Sequence, residues 1–487
     1  MDTDATAALA YAQKLRQRLI SRVRDVERQG DYFLGKQPLA YASDEWSSVH
    51  KARYANFSDN WCGVVGSAPA ERLELRGIRL DGDASVSDVE RKLWRDFEVC
   101  AGPELMAQGF LTSTISKRSF ALVWGDSDGS PRLSWESPSQ MLVDFDLETG
   151  EYAAAIKCWS DGDHEYLTLY TADYVWKWER PEVYNRANTP DGEKRLVLPP
   201  SMTDDYGWEA RQGTDATWPL RNPIGTVPVA EFANRPMLGG EPISDIDGTI
   251  AMQDAVNLLW AYLFVAADYA SMPARVVLGQ EPPKMPKLNE KGEVVGELPV
   301  DQEALKRGRM LWLTGQATKI DQWAPSQLDV FTDVINIAIR HIATQSSTPI
   351  YLIHGEMGNI NGETLAGLDA PLVSKVGYAQ KHYRQPVRRL FELLARVRGN
   401  RDVALAARSA MTLWKDAATH SPVQQADAAI KARQIGMPLA EVLRRYFDYT
   451  EPEITAIVQE ARDEATDPYL RSLSDKDASD ESESVEA

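Results

Sequence analysis

Cysteine is scarce: Cys62, Cys100 and Cys158 stand apart, with no C-x-x-C pair and no histidine at zinc-site spacing. A disulfide scaffold and a structural zinc site are excluded on that ground. The six histidines are scattered, and His341 and His354 read as helix-surface and loop residues. Nucleotide and hydrolase motifs are missing too: there is no G-x-x-x-x-G-K-[ST], H-E-x-x-H, G-x-S-x-G or G-x-G-x-x-G. Phosphate cradles, zinc proteases and serine hydrolases therefore lack their usual parts, and no cofactor or metal is expected. The most apolar run, 255–267, spans 13 residues and contains Asn257, short of the ~18 that mark a membrane helix. Met1-Asp2-Thr3-Asp4 has neither the basic start nor the apolar core of a signal peptide, so synthesis in a reducing cytoplasm and no membrane partner are expected. Positive charge is in deficit, with Lys+Arg 53 against Asp+Glu 72 and a formal net charge of −19. A tight, non-specific nucleic-acid binder needs clustered cations; this balance argues against one, while leaving room for a surface that DNA passes.

What is present is an ordinary folding composition, 43% hydrophobic and 26% charged over 487 residues, enough for two to four structural units at ~100–200 residues each. Leu15, Leu19, Ile20, Val23 and Val26 recur near helical spacing, which predicts a helix over about 5–29 ended by Gly30-Asp31. From about 64 to 232, short β-prone runs alternate with turn signals, and a helix around 86–111 interrupts them. The runs Phe120–Trp124, Arg132–Trp135, Ala153–Trp159, Tyr166–Tyr170 and Tyr174–Trp178 predict an α+β unit with a mainly antiparallel sheet.

After Pro242 the texture turns helical. Ser244-x-x-Asp247 reads as a capping box opening a helix to about 271, and Ser326-x-x-Asp329 as a second opening one to about 347, stopped by Thr348-Pro349. Between them, 272–325 is rich in Pro and Lys, with a hairpin candidate around Gly292. The segment 349–362 holds Gly355, Gly358 and Gly362 and is expected to be a mobile loop. A third helical stretch, 363–398, carries Pro371 and Pro386, each expected to kink or break it, before Gly399-Asn400 ends it. Short helices follow, opened by Ser421-Pro422, Pro438 and Thr450-x-x-Glu453. The tail, with six acids and one Lys over 475–487, is expected to be disordered. No repeat of 20–50 residues is found.

One enzymatic motif presents itself. Asp245-Ile-Asp247-Gly248-Thr249 matches the nucleophile signature of haloacid-dehalogenase-type phosphatases, whose first Asp attacks phosphorus from the end of a buried strand. Here Leu238-Gly-Gly-Glu-Pro242 precedes it, with no apolar strand, and two carboxylates at a helix start are already accounted for by the helix dipole. Asp126-Ser-Asp128-Gly129 and Asp144-Phe-Asp146 lack the distal Glu of a calcium loop and read as turns. Fourteen Trp exceed ordinary usage; Trp176 and Trp178, at period two, predict a filled sheet face.

Several strings in order resemble a family, the portal proteins of tailed double-stranded-DNA bacteriophages, particularly those of long-tailed siphophages. Tyr32-Phe-Leu-Gly-Lys-Gln-Pro-Leu39 comes first, then Asn60–Val65 with Glu71-Arg-Leu73 and Gly77. Trp135-Glu-Ser-Pro138 and Asn222-Pro-Ile-Gly-Thr-Val-Pro-Val229 with Phe232 and Asn234 follow, then Asp254-Ala-Val-Asn257. Ser116-Lys-Arg-Ser119 departs from the pattern, which would place a glycine there. The resemblance covers roughly 10–465 and implies a portal-like fold: an N-terminal segment and α+β wing (1–242), a stem helix (243–271), a small clip (272–325), a second stem helix (326–348), a tunnel loop (349–362), a long kinked wing helix (363–400), a helical crown (401–470) and an acidic tail (471–487). It further implies a non-enzymatic ring, typically a dodecamer, at one capsid vertex of the virion, assembled in the host cytoplasm. Double-stranded DNA would pass through it during packaging and ejection. Its partners would be the terminase large subunit, a head–tail connector or adaptor, the major capsid protein and a scaffold protein. In the loop, Tyr351, His354, Met357 and Asn359 are the residues expected to line the DNA channel without fixed positive charge.

Overall fold

The computed structural model describes residues 4–40, 58–80, 88–126, 128–181, 207–211, 218–271, 275–278, 284–288, 294–299, 310–313, 319–322, 328–354, 362–418, 422–447, 449 and 451–466. The chain divides into two compact units, one of residues 1–35, 62–248 and 343–487, the other of 36–61 and 249–342.

The first unit opens with α1 (Ala5–Leu34), capped by Asp4, whose carboxylate accepts from the Thr6 and Ala7 amides. The helix runs past Gly30 and stops at Gly35, where φ is +70°. Gly30 has open space around it and lies within a helix whose other face is packed, so the roughly 1 kcal/mol a mid-helix glycine costs is absorbed. Next come α2 (Trp61–Ala70) and β1 (Leu75–Arg79). The single helix expected over 86–111 is two, α3 (Asp88–Val99) and α4 (Gly102–Ser116), parted by Ala101 in the left-handed region. Lys117 closes α4 at φ +71°, where the family pattern would put glycine, and its ammonium lies 3.2 Å from Asp247.

Strands β2 (Arg118–Gly125), β3 (Pro131–Glu136), β4 (Met141–Phe145), β5 (Tyr152–Ser160), β6 (His164–Tyr170), β7 (Tyr174–Pro181), β8 (Glu209–Ala210), β9 (Leu220–Arg221) and β10 (Val229–Ala233) form two sheets, ordered β10-β2-β3 and β4-β5-β6-β7-β8 with β9 also on β7. Every pair among these described strands is antiparallel. β2 is nearly continuously apolar because both its faces are buried, Ala121 and Val123 in one core, Phe120 and Leu122 in another with Met141, Val143 and Val229. On the larger sheet, Trp176 and Trp178 stack at 6.1 Å and bury against the Ala8, Ala12, Leu15 and Leu19 face of α1.

In the second unit, α5 (Ile250–Ser271) is followed by β11 (Arg275–Leu278), β12 (Lys284–Leu288), β13 (Val294–Pro299), β14 (Met310–Leu313) and β15 (Lys319–Gln322). β12 and β13 pair antiparallel on either side of the hairpin candidate; Gly292 itself lies outside the described residues. β11 pairs parallel with β14 and antiparallel with β15. Where a capping box was expected at Ser244, residues 245–249 form turns and α5 begins later; Ser244 Oγ accepts from the Ile246 amide at 3.2 Å and donates to the Ile115 carbonyl at 2.5 Å, so it caps a turn held on the end of α4. By length and composition α5 could cross a membrane, its span being 250–268 rather than the 13 residues read as apolar. Its Gln253, Asn257 and Trp260 face, at four- and three-residue spacing, is polar and bonds the 58–61 segment: Gln253 accepts from the Trp61 amide (2.8 Å), Asn257 from the Asp59 amide (2.9 Å), and Trp260 donates to Asp59 (2.9 Å).

Helix α6 (Asp329–Ser346) precedes the one-turn α7 (Ile350–His354) and the 36-residue α8 (Gly362–Val397). α8 continues through both prolines, since Leu372, Val376, Tyr383, Val387, Leu390 and Phe391 are fully buried along it and outweigh two missing amide donors. α9 (Arg401–Ala407), α10 (Pro422–Gln434), α11 (Leu439–Tyr446) and α12 (Glu451–Thr466) complete the helices. Within the stretch expected to be helical lies a strand, β16 (Met411–Trp414), paired with β1. Four residues are too few for periodicity to mark it.

Close packing of α4 against β3 yields a sharp test. A Cβ on Gly109 would sit 2.1 Å from the Trp135 indole, which is fixed by a 3.0 Å bond to Ser119 and a ring contact with Phe232 at 4.8 Å. Gly109→Ala is expected to cost about 1–3 kcal/mol in urea denaturation; an unchanged midpoint would mean that the indole moves freely.

Candidate functional site

The loop expected over 349–362 is built from the end of α6. Ser347 takes φ +56°, the Thr348 amide reaches the Ala343 carbonyl at 2.9 Å and the Ser347 amide reaches Thr344 at 3.3 Å. This is a Schellman closure with serine in the left-handed position. The same closure ends α8 and α10 with Gly399 and Gly436.

Pro349 then starts α7, so the first part of the expected loop is helical. Tyr351 is half-buried rather than free: its hydroxyl donates to Asp369 of α8 at 2.5 Å. Asp369 is buried, and Arg72 grips both its oxygens, at 3.2 and 3.3 Å, while also donating to the Ala417 carbonyl at 3.2 Å. Burial, then the bond to Asp369 and its charge, push the Tyr351 phenol up, so it stays protonated and donating. Arg72, Asp369 and Tyr351 thereby tie the start of the segment to α8 and to the turn after α2. The structure brings Tyr351 alone of the four expected channel residues into a described site; the His354 side chain, Met357 and Asn359 lie outside the described residues. Arg72 stands inside a string that carried the family resemblance, yet nothing local pairs it with an acid 297 positions away.

The two carboxylates of the phosphatase-like motif are held otherwise than a nucleophile would be. Asp245 is buried, 3.3 Å from Lys375 and 3.4 Å from Arg235, and its amide donates to Thr114 at 2.9 Å. Asp247 accepts from Gln29 at 2.7 Å and pairs with Lys117 at 3.2 Å. Neither follows a strand. Burial pushes the Lys375 ammonium down, against the opposing pull of Asp245. The arrangement fastens the 244–247 turn to α4, α1 and α8.

Among the described residues no group of three or more His, Cys, Asp or Glu is arranged to hold a metal ion. Removing one partner of the Arg72–Asp369 pair isolates a buried charge, so Arg72→Met should cost about 3–5 kcal/mol, whereas Tyr351→Phe should cost about 1–2 kcal/mol. Chemical denaturation of both variants checks that order, and equal costs would show that Tyr351 carries the anchor. Ser347→Gly should raise stability by up to about 1 kcal/mol by relieving the left-handed serine; a loss would mean the side chain has a role the backbone does not need.

Comparison with known proteins gives the frame for this geometry. The family described as "Phage portal protein, SPP1 Gp6-like" matches residues 21–467. Similar solved structures include a chain from the neck of a native gene transfer agent particle computed with C12 symmetry (12% identity, 87% of this chain and 98% of that one, TM-score 0.42). Another comes from the virion of a native gene transfer agent particle (14% identity, 82% and 91%, TM-score 0.36). A third comes from the neck of an empty particle computed with C6 symmetry (15% identity, 82% and 92%, TM-score 0.38). No curated protein matches. With the family match running from within α1 to the end of α12, the chain belongs to the SPP1 Gp6-like phage portal proteins.

Proposed function

We propose that this chain is the subunit of a closed ring, of about twelve copies as is usual for portals, at one capsid vertex of a virion. Through it double-stranded DNA is packaged and later ejected, and on it the terminase large subunit and the head–tail connector dock. The family match over 21–467 carries the reading. Residues 1–242 and 363–400 form the wing, α5 and α6 the stem, 272–325 the clip, 349–362 the tunnel loop and 401–470 the crown.

Physical features support it. Val330, Val334 and Ile337 are each 44–56% exposed and lie at four- and three-residue spacing on one side of α6, and α5 is apolar around most of its circumference. Such stripes need a cover, and in a ring the next subunit supplies it. A net charge of −19 suits a conduit, because each phosphate neutralised is a contact to be broken as the duplex advances. The chain itself turns nothing over; the ATPase belongs to the motor that docks on it.

Native mass spectrometry and negative-stain microscopy of the purified chain should show closed rings, and a 54.4 kDa monomer at every salt concentration would refute ring formation. Shortening the tunnel loop by 355–361 should leave rings intact and impair packaging or retention of DNA. Full-length genomes packaged at the normal rate would make that segment a connector only.

A further inference from the structure

Pro371, Ser374, Tyr378 and Lys381 follow one another on α8 at three- and four-residue spacing, with Lys375 four residues from Pro371, so they share a face. With Gln345, Ser346 and Ser347 at the end of α6, and with Arg235, they enclose an open cavity of about 580 Å³. Its lining holds three cations and no carboxylate. The acid behind it, Asp245, is already shared between Lys375 at 3.3 Å and Arg235 at 3.4 Å. One negative charge against three positive leaves an excess, in a chain whose overall charge is −19.

Two other cavities, of about 350 and 510 Å³, have carboxylates in their lining. Around one, Arg388, Arg389 and Arg408 are matched by Glu151, Glu231 and Glu392. Around the other, Arg444 and Arg445 both bind the lining carboxylate Glu441, Arg76 and Lys415 share Glu74 behind the lining, and Asp416 is a second lining carboxylate. The lining beside Lys381 is unmatched in that way. The hydroxyls of Ser347 and Ser374 and the phenol of Tyr378, a residue 54% exposed, add neutral donors from both helices.

We propose that this cavity binds a phosphate group of a nucleic-acid backbone. Phosphate presents several acceptor oxygens, which suits donors converging from α6, α8 and Arg235, and guanidinium and ammonium groups are its usual partners. A space of this volume lies within the ordinary range of ligand pockets, and because it is open and not enclosed, a phosphate still attached to a chain can reach its donors. The assignment rests on the DNA-conduit reading. Each subunit that touches the duplex adds a salt-labile contact worth a slope of about −0.9 in log K against log salt, and one such contact alone is weak enough to be broken as the duplex advances.

The test uses the full chain with a short fluorescent duplex, inorganic phosphate as a competitor, and the variants Lys381→Gln and Lys381→Arg. Lys381 is exposed, so neither change should disturb folding or ring formation. Losing one contact of that slope weakens binding about eightfold at 0.1 M salt, so Lys381→Gln should weaken it by at least about eightfold, and by more where several subunits of a ring touch the duplex, while Lys381→Arg retains affinity. Unchanged duplex binding in Lys381→Gln overturns the proposal. Inorganic phosphate that binds the wild type as tightly as the duplex does overturns the nucleic-acid assignment. Microscopy of the same samples separates the two readings: a chain that forms no rings yet binds duplex through Lys381 refutes the conduit and upholds this site, and rings indifferent to Lys381→Gln do the reverse.

Discussion

Burial of α8 around Tyr383 is the constraint on which the first unit depends. The Tyr383 ring is wholly inaccessible, packed on Phe110 at 5.0 Å and Phe232 at 6.0 Å. Its hydroxyl lies 3.0 Å from Ser113 and 3.3 Å from Asn234. A single residue thus joins α4, the end of β10 and α8, and burial pushes its phenol up so that it stays a donor. Asn234 passes the constraint on: its amide bonds the Lys117 carbonyl and its side chain the Ile243 carbonyl, which positions the 244–247 turn. Nearer its start α8 supplies Asp369 and Lys375, so the helix that organises the core also anchors the segment after α6.

The second unit is organised by a different economy. α5 has mean composition apolar enough to span a bilayer, yet Gln253, Asp254 and Asn257 are buried. Polar groups removed from water need partners, and Gln253 and Asn257 find theirs in the backbone of Asp59 and Trp61. A polar seam along one side of an apolar helix fixes the rotation of that helix about its axis. The apolar surface elsewhere on the helix, and the Val330–Ile337 stripe of α6, are left for other contacts. Stability of the subunit and availability of its helices to neighbours are therefore carried by different residues.

Much of this was legible. β2 follows from an unbroken apolar run, the Trp176–Trp178 pair from period-two burial, and the strands flanking the hairpin candidate from turn chemistry. The α-helical ends were less so. Gly30 and Pro386 carry the residue types that end helices, but whether they do is decided by the packing of Leu15, Leu19, Val387 and Leu390 over many turns. Ser244-x-x-Asp247 has the letters of a capping box, and its serine does accept the Ile246 amide, but its hydroxyl is bonded to the Thr114 and Ile115 carbonyls and the residues it caps form a turn ahead of the helix. Pairings such as Arg72 with Asp369, and β1 with β16, join residues some 300 positions apart and leave no local trace.

Electrostatics separates the roles of the charged groups. The buried Arg180 and Glu165 pair with each other at 2.5 Å, and the Arg389, Arg396 and Arg408 cluster on Glu392 is offset further by Glu151 and Glu231 around the same cavity. Glu392 is held below the usual carboxylate range by those three arginines although burial opposes them. An acidic chain built this way repels a polyanion over most of its surface, and screening confines that repulsion to about 10 Å at 0.1 M salt. A local excess of cations on such a background acts only on a phosphate already within that distance.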